Sequence, residues 1–330
     1  MGDLLNSIAR WLGALGPYLL LGLLALAIAF ALASISVAVA VLFWWAGWTS
    51  QHAERRDADA PLEPAAPAPR AAYLVYLSGI GHISSDYSTR YEDALLAAIA
   101  MRRPELAIIH DIFPFSVNNA SMASERMLGW FWAWVSAQRA RRGRLRVAGD
   151  LILLRNILYT AVSADRRYGP IYNYSVAELI LQSLIHHGYE VGSRAPITLL
   201  GYSGGAQIGL AAAGYLKATL RAPVQMISLG GVINSSPAID RIDRVCHLYG
   251  SRDQWQRFGA LVFPARWRLA PRSRWNRGLA SGKVVSLCIG PMVHQGRRSY
   301  LDDTALLASG QSYQARTADL VAELIGTLAL

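Results

Sequence analysis

Ser203 stands at the centre of Gly201-Tyr202-Ser203-Gly204-Gly205, a G-x-S-x-G pattern in which a serine can act as a nucleophile. A short apolar run, Ile197 to Leu200, leads into it, and a helix rich in small residues follows to Leu220. That strand–turn–helix setting gives the pattern its chemistry, because the tight turn lifts the hydroxyl clear of the sheet. Side chains at 201 and 205 would collide with neighbouring backbone, so glycine fits at both. Gly204 opens the helix, and its N–H faces the place where an oxyanion would develop. Outside this setting the same residues would make only a Gly/Ser turn.

The elements around the turn follow from hydrophobic patterning. From Ala72 onward, strand and helix patterns alternate, which predicts an α/β fold with a mainly parallel sheet and helices on both faces. About six strands are expected: AAYLVYLSG from Ala71, ELAIIHDI from Glu105, PITLLG from Pro196, VQMISLGG from Val224, RVCHLYG from Arg244 and KVVSLCIG from Lys283. The unbroken apolar character of the first suits a strand buried on both faces. Helices are expected over Tyr91 to Arg103, Ser124 to Arg142, Asp150 to Ser163, Val176 to His187 and Thr317 to Leu328.

The segment from Pro196 to Leu220 resembles the nucleophile elbow of the α/β-hydrolase superfamily, and the resemblance covers about residues 72 to 330. The strands begin at the position usually called the third in that superfamily, so its first two are missing. The resemblance implies a triad in the chain order nucleophile, acid, histidine. Asp253, three residues beyond the strand end at Gly250, is the implied acid; Asp240 and Asp243 compete but precede that strand. His294, four residues past Gly290, is the histidine, and no other lies downstream of Asp253. Ser203 would attack, His294 would carry the proton, and Asp253 would orient the imidazolium. A second oxyanion donor is implied in the loop Ser78-Gly79-Ile80-Gly81-His82, where Ile80 N–H would stand beside Gly204 N–H; a simple glycine turn is the alternative. His82 and His110 end strands on the same edge and fit a supporting hydrogen-bonding role better than metal ligation, having no carboxylate or cysteine at ligand spacing. No cofactor is implied.

The N-terminal fifth is different in kind. From Trp11 to Gln51 there is no charged side chain, and about 20 apolar residues suffice to cross a bilayer. Residues 1 to 50 are therefore expected to form a membrane anchor with one transmembrane helix. A turn near Ser34-Ile35-Ser36 would make it a hairpin, and small-residue sites near Ala33 and Ala40 keep a cleaved signal peptide in view. Arg10 precedes the span while Arg55 and Arg56 follow it, which leans towards a catalytic domain on the cytoplasmic face. Residues 51 to 71, ending in PLEPAAPAPR, read as a Pro/Ala-rich linker.

The net charge of +10 comes from 30 arginines and two lysines against 22 acids. For an anchored chain such a surface fits anionic lipid headgroups. A solvated arginine-rich face is the plain alternative, and no motif supports nucleic-acid binding. Aromatic residues sit beside arginines in two segments, one with Trp130, Phe131, Trp132 and Trp134, the other with Trp255, Trp267 and Trp275. Both segments suit a membrane interface or lid, or else buried helices. Cys246 and Cys288 fall in apolar strand-like runs and are expected in the core.

The sequence thus reads as a membrane-anchored serine hydrolase cleaving carboxylic esters of apolar acyl groups. A thioesterase or peptidase would use the same residues. A catalytically silent hydrolase fold, serving as a tethered interaction module, is the competing class; it has no need for a complete Ser–Asp–His order.

Overall fold

Runs dominated by β-branched, aliphatic and aromatic residues build the sheet, with Arg244 at the start of one strand its single charge. In the computed structural model, which describes residues 67–119, 121–124, 129–140 and 150–327 with isolated positions between 17 and 46, β1 (Ala72–Leu77) is buried at every position. β2 (Leu106–Ile109) and β6 (Val284–Gly290) lie outermost, and β3 (Ile197–Tyr202), β4 (Val224–Leu229) and β5 (Arg244–Gly250) fill the middle. The order is β2-β1-β3-β4-β5-β6, and every neighbouring pair is parallel. β3 and β4 are also buried throughout. The outer strand β6 is exposed from Ser286 to Cys288. Cys288 is accordingly exposed, contrary to expectation, because an outer strand lacks a covering neighbour; Cys246 on β5 is buried as expected.

Alternation along β1 divides the core. Tyr73, Val75 and Leu77 join one apolar cluster, completed by α2 (Gly129–Ala140), α3 (Asp150–Ala164), α4 (Gly169–His186) and α5 (Gly204–Leu220). Leu74 and Tyr76 join the other, closed by α1 (Arg90–Arg102) and α9 (Tyr313–Gly326). A fully buried aliphatic side chain contributes about 1.5–3 kcal/mol, so this two-sided packing fixes the sheet firmly.

Helix starts follow local capping. α9, capped by Ser312, begins four residues ahead of the expected start at Thr317. α4 begins seven residues before Val176, because Pro170 falls in its first turn, where no N–H is needed. α6 (Ala238–Arg241), α7 (Gln254–Val262) and α8 (Arg274–Ala280) were not expected; Asp253 caps α7 and Ser273 caps α8. Trp132 and Trp275 are core residues, while Trp130, Trp134, Trp255 and Trp267 are exposed, so each aromatic segment is part buried and part exposed.

Among the described residues no helix is long and apolar enough to cross a membrane. Most of the expected anchor, most of the linker and the arginines from 141 to 146 lie outside the described residues.

From β1 the chain moves outward to β2, then returns past β1 to lay down β3. Such a reversal opens a crevice beyond the C-terminal ends of the two adjoining strands, where ligands of open α/β sheets bind. The loop after β1 and the turn after β3 face that crevice.

Candidate active site

Ser203 joins β3 to α5 with φ 54° and ψ −121°, a strained conformation costing on the order of 1–3 kcal/mol for a residue with a Cβ. Three hydrogen bonds hold it: its N–H donates to Leu229 O, and its carbonyl accepts from Ala206 and Val232. A Cβ on Gly201 would lie 2.5 Å from Ala206 Cα, and one on Gly205 only 2.2 Å from Ser78 O. Both motif glycines are therefore required by close backbone approach.

The implied partners meet this serine. His294 Nε2 lies 2.8 Å from Ser203 Oγ, and His294 Nδ1 lies 2.9 Å from Asp253 Oδ2. With the proton on Nδ1, donated to the carboxylate, Nε2 is left to accept from the serine hydroxyl. Ser203, Asp253 and His294 each follow a parallel strand at its C-terminal end. The strand order, the elbow and this chain order coincide. This is the arrangement that the resemblance to the α/β-hydrolases implies.

No protein-family profile matches the chain, and no curated protein does. Among solved structures, the chain is similar to a dienelactone hydrolase-like promiscuous phosphotriesterase from metagenomic libraries, at 13% identity over 80% of this chain and 88% of that one, TM-score 0.41. It is also similar to a dienelactone hydrolase from Anabaena variabilis, at 13% identity over 79% and 88%, TM-score 0.37. A hyperthermophilic esterase from the archaeon Pyrobaculum calidifontis is 12% identical over 80% and 79%, TM-score 0.40.

Within this arrangement, Asp253 is fully buried and receives four hydrogen bonds. Trp255 and Gln256 N–H donate to Oδ1, while His294 and the Tyr300 hydroxyl address Oδ2. Burial pushes the carboxyl up, but His294, Tyr300 and the Gln256 N–H outweigh it and hold it below the usual carboxylate range. The competitors are occupied elsewhere. Asp240 pairs with Arg274 and Arg277, and Asp243 with Lys217.

Tyr202 braces the histidine from its other side. Its ring stacks on the imidazole at 5.6 Å with 19° between planes, and its hydroxyl donates to His294 O.

Ile80 reaches the elbow as well: a Cβ on Gly204 would stand 2.6 Å from Ile80 Cγ2. Asn156 Nδ2 donates to Ile80 O at 2.8 Å and to His82 O at 2.9 Å, tying this turn to α3. His82 is buried and bonds the Glu92 carboxylate at 2.8 Å, which also accepts from Tyr76 and Thr89. Burial raises the Glu92 carboxyl, yet these partners, His82 foremost, bring it below its ordinary value. His110, expected in the same supporting role, is instead exposed just past the outer strand β2, where sheet cover ends. Among the described residues no group of three or more His, Cys, Asp or Glu side chains could hold a metal.

Asn156, Tyr202 and Tyr300 were not anticipated as site residues. Asn156 left a signal, since it shares the buried face of α3 with Ile152 and Tyr159, where an amide is out of place without a partner. Tyr202 stood inside the motif. Tyr300 comes from an irregular loop and left none.

Proposed function

We propose that this chain is a serine hydrolase of carboxylic esters. The 2.8 Å approach of His294 Nε2 to Ser203 Oγ carries the reading. In this mechanism His294 takes the serine proton as Oγ attacks the ester carbonyl, forming the acyl–oxygen bond. The negative charge on the carbonyl oxygen meets the N–H groups of Gly204 and Ile80. His294 then returns the proton to the departing alcohol, leaving an acyl-enzyme. Water, activated by the same histidine, releases the acid and restores Ser203. Asp253 stays ionised and holds the imidazolium in place.

The chain is further read as membrane-anchored through residues 1 to 50, with residues 51 to 71 as linker and the catalytic domain on the cytoplasmic face. The charge-free run from Trp11 to Gln51 supports this. So does the exposure of Leu20, Leu21, Leu24, Ile28, Ile35 and Leu42, apolar helical positions that bare their side chains. An anchored hydrolase meets lipid-like molecules first, so an ester of an apolar acyl group is the proposed substrate. No cofactor enters this mechanism.

Hydrolysis of short p-nitrophenyl esters by the purified chain tests the chemistry, and turnover that vanishes in Ser203→Ala is expected. Turnover unchanged by that substitution would contradict it. Retention in membranes through an alkaline carbonate wash tests the anchor, and release into the supernatant would contradict that part.

A further inference from the structure

We propose that the outer face of α7, together with Leu269, docks onto an anionic bilayer and presents the Ser203 crevice to esters held there. This rests on the reading of the site as an ester hydrolase. α7 bares Trp255, Phe258, Leu261 and Val262 on one side, while Gln256 and Gly259 face inward. Leu269 is 90% exposed. The Trp267 indole N–H donates to Ala260 O and Leu261 O, so the segment carrying Leu269 folds back over the end of α7. Contiguous exposed apolar surface of this kind marks an interaction site. It also borders the crevice: Asp253 caps α7, and the Trp255 ring lies 6.4 Å from that of His294.

Charge decides what covers it. Between Arg244 and Tyr300 the sequence holds ten arginines and one lysine, and Asp253 is the single acid. Asp253 is buried. Arg257, Arg268 and Arg272 are exposed around the apolar face, and no acid among the described residues forms an ion pair with them. The apolar N-terminal run would cover the leucines, but having no charge it would leave these arginines unmet. A second copy of so basic a surface would repel it. Anionic headgroups over acyl chains satisfy both, as they do for basic amphipathic helices lying in an interface.

A tether permits this orientation. The chain enters the domain at the opposite edge of the sheet, where Tyr73 Oη links Arg70 N–H to Gly188 O. Residues 51 to 66 can extend to about 55 Å, well beyond the roughly 20 Å length of a six-residue strand.

The test uses the full chain with Leu269→Cys in a Cys288→Ser background, carrying an environment-sensitive fluorophore at position 269. Phosphatidylcholine vesicles with phosphatidylglycerol should allow doxyl-lipid quenching of the label, weakening as salt rises, whereas phosphatidylcholine alone should not. A label that stays open to aqueous iodide and closed to doxyl lipid would overturn the proposal. So would a label shielded from iodide before vesicles are added, which would mean cover by the chain itself or a second copy. Phe258→Asp with Leu261→Asp should lower hydrolysis of a vesicle-borne ester at least about tenfold, given the burial lost, and leave soluble p-nitrophenyl acetate turnover unchanged. An equal loss on both substrates would refute a docking role. Failure of the underlying esterase reading is seen separately, as absent turnover of the soluble ester by the unsubstituted chain.

Discussion

The Tyr300 hydroxyl donates to Asp253 Oδ2 at 2.6 Å, on the carboxylate oxygen that also faces His294. The same hydroxyl accepts the Gly250 N–H at 2.7 Å, so it ties the acid to the end of β5. Tyr300→Phe removes one of the donors that hold the Asp253 carboxyl below its ordinary value. A carboxyl depressed in the folded chain contributes stability in full above about pH 4, and that contribution is lost as pH falls through the folded value. Raising the folded value narrows this window. Tyr300→Phe should therefore shift the acid-unfolding midpoint to higher pH and cost about 1.5–3 kcal/mol near neutrality. Denaturant titrations across pH, followed by circular dichroism, check both; an unmoved acid midpoint would remove Tyr300 from the acid's support.

The acids separate by substitution. Asp253→Asn should lower kcat/KM by about 10⁴, because the imidazole loses the group that fixes its tautomer. Asp240→Asn only breaks exposed pairs to Arg274 and Arg277 and should leave ester turnover within about twofold, as surface pairs contribute little. Steady-state kinetics on one soluble ester decide between them. A crippled Asp240→Asn beside an active Asp253→Asn would reassign the acid.

Asn156 positions a turn and touches no reacting atom. Asn156→Ala leaves Ile80 O and His82 O without their shared donor, freeing the loop that supplies one proposed oxyanion N–H. Displacing one such donor costs about 10²-fold or more in kcat. The expected pattern is a fall in kcat at nearly constant KM for a short ester, with melting still cooperative. A change confined to KM would point to substrate contact instead.

Much of this fold was legible because its signals are local. Five of the six strands are charge-free and mostly apolar runs, and β5, with one charge at its first residue, matches its expected span from Arg244 to Gly250. The elbow was legible because Gly201 and Gly205 are demanded by backbone contact, which leaves a mark in sequence. Ser203, Asp253 and His294 could be named from chain order, and the structure brings all three within hydrogen-bond reach. What stayed hidden depends on tertiary neighbours. Tyr300 reaches Asp253 across 47 positions, and Asn156 reaches Ile80 across 76; no short-range pattern encodes either contact. Cys288 misled for the same reason, since an apolar run cannot tell an outer strand from an inner one. α7 and α8 were missed because their short spans begin at caps, Asp253 and Ser273, set among arginines and tryptophans.

The most direct measurement is the site of covalent modification by a fluorophosphonate, located by peptide mass spectrometry. The account predicts a single phosphonyl adduct on the peptide containing Ser203. That adduct should be lost in Ser203→Ala and slowed by about 10³-fold or more in His294→Ala, where the proton acceptor is gone. An unlabelled chain, or an adduct elsewhere that persists in Ser203→Ala, would contradict it.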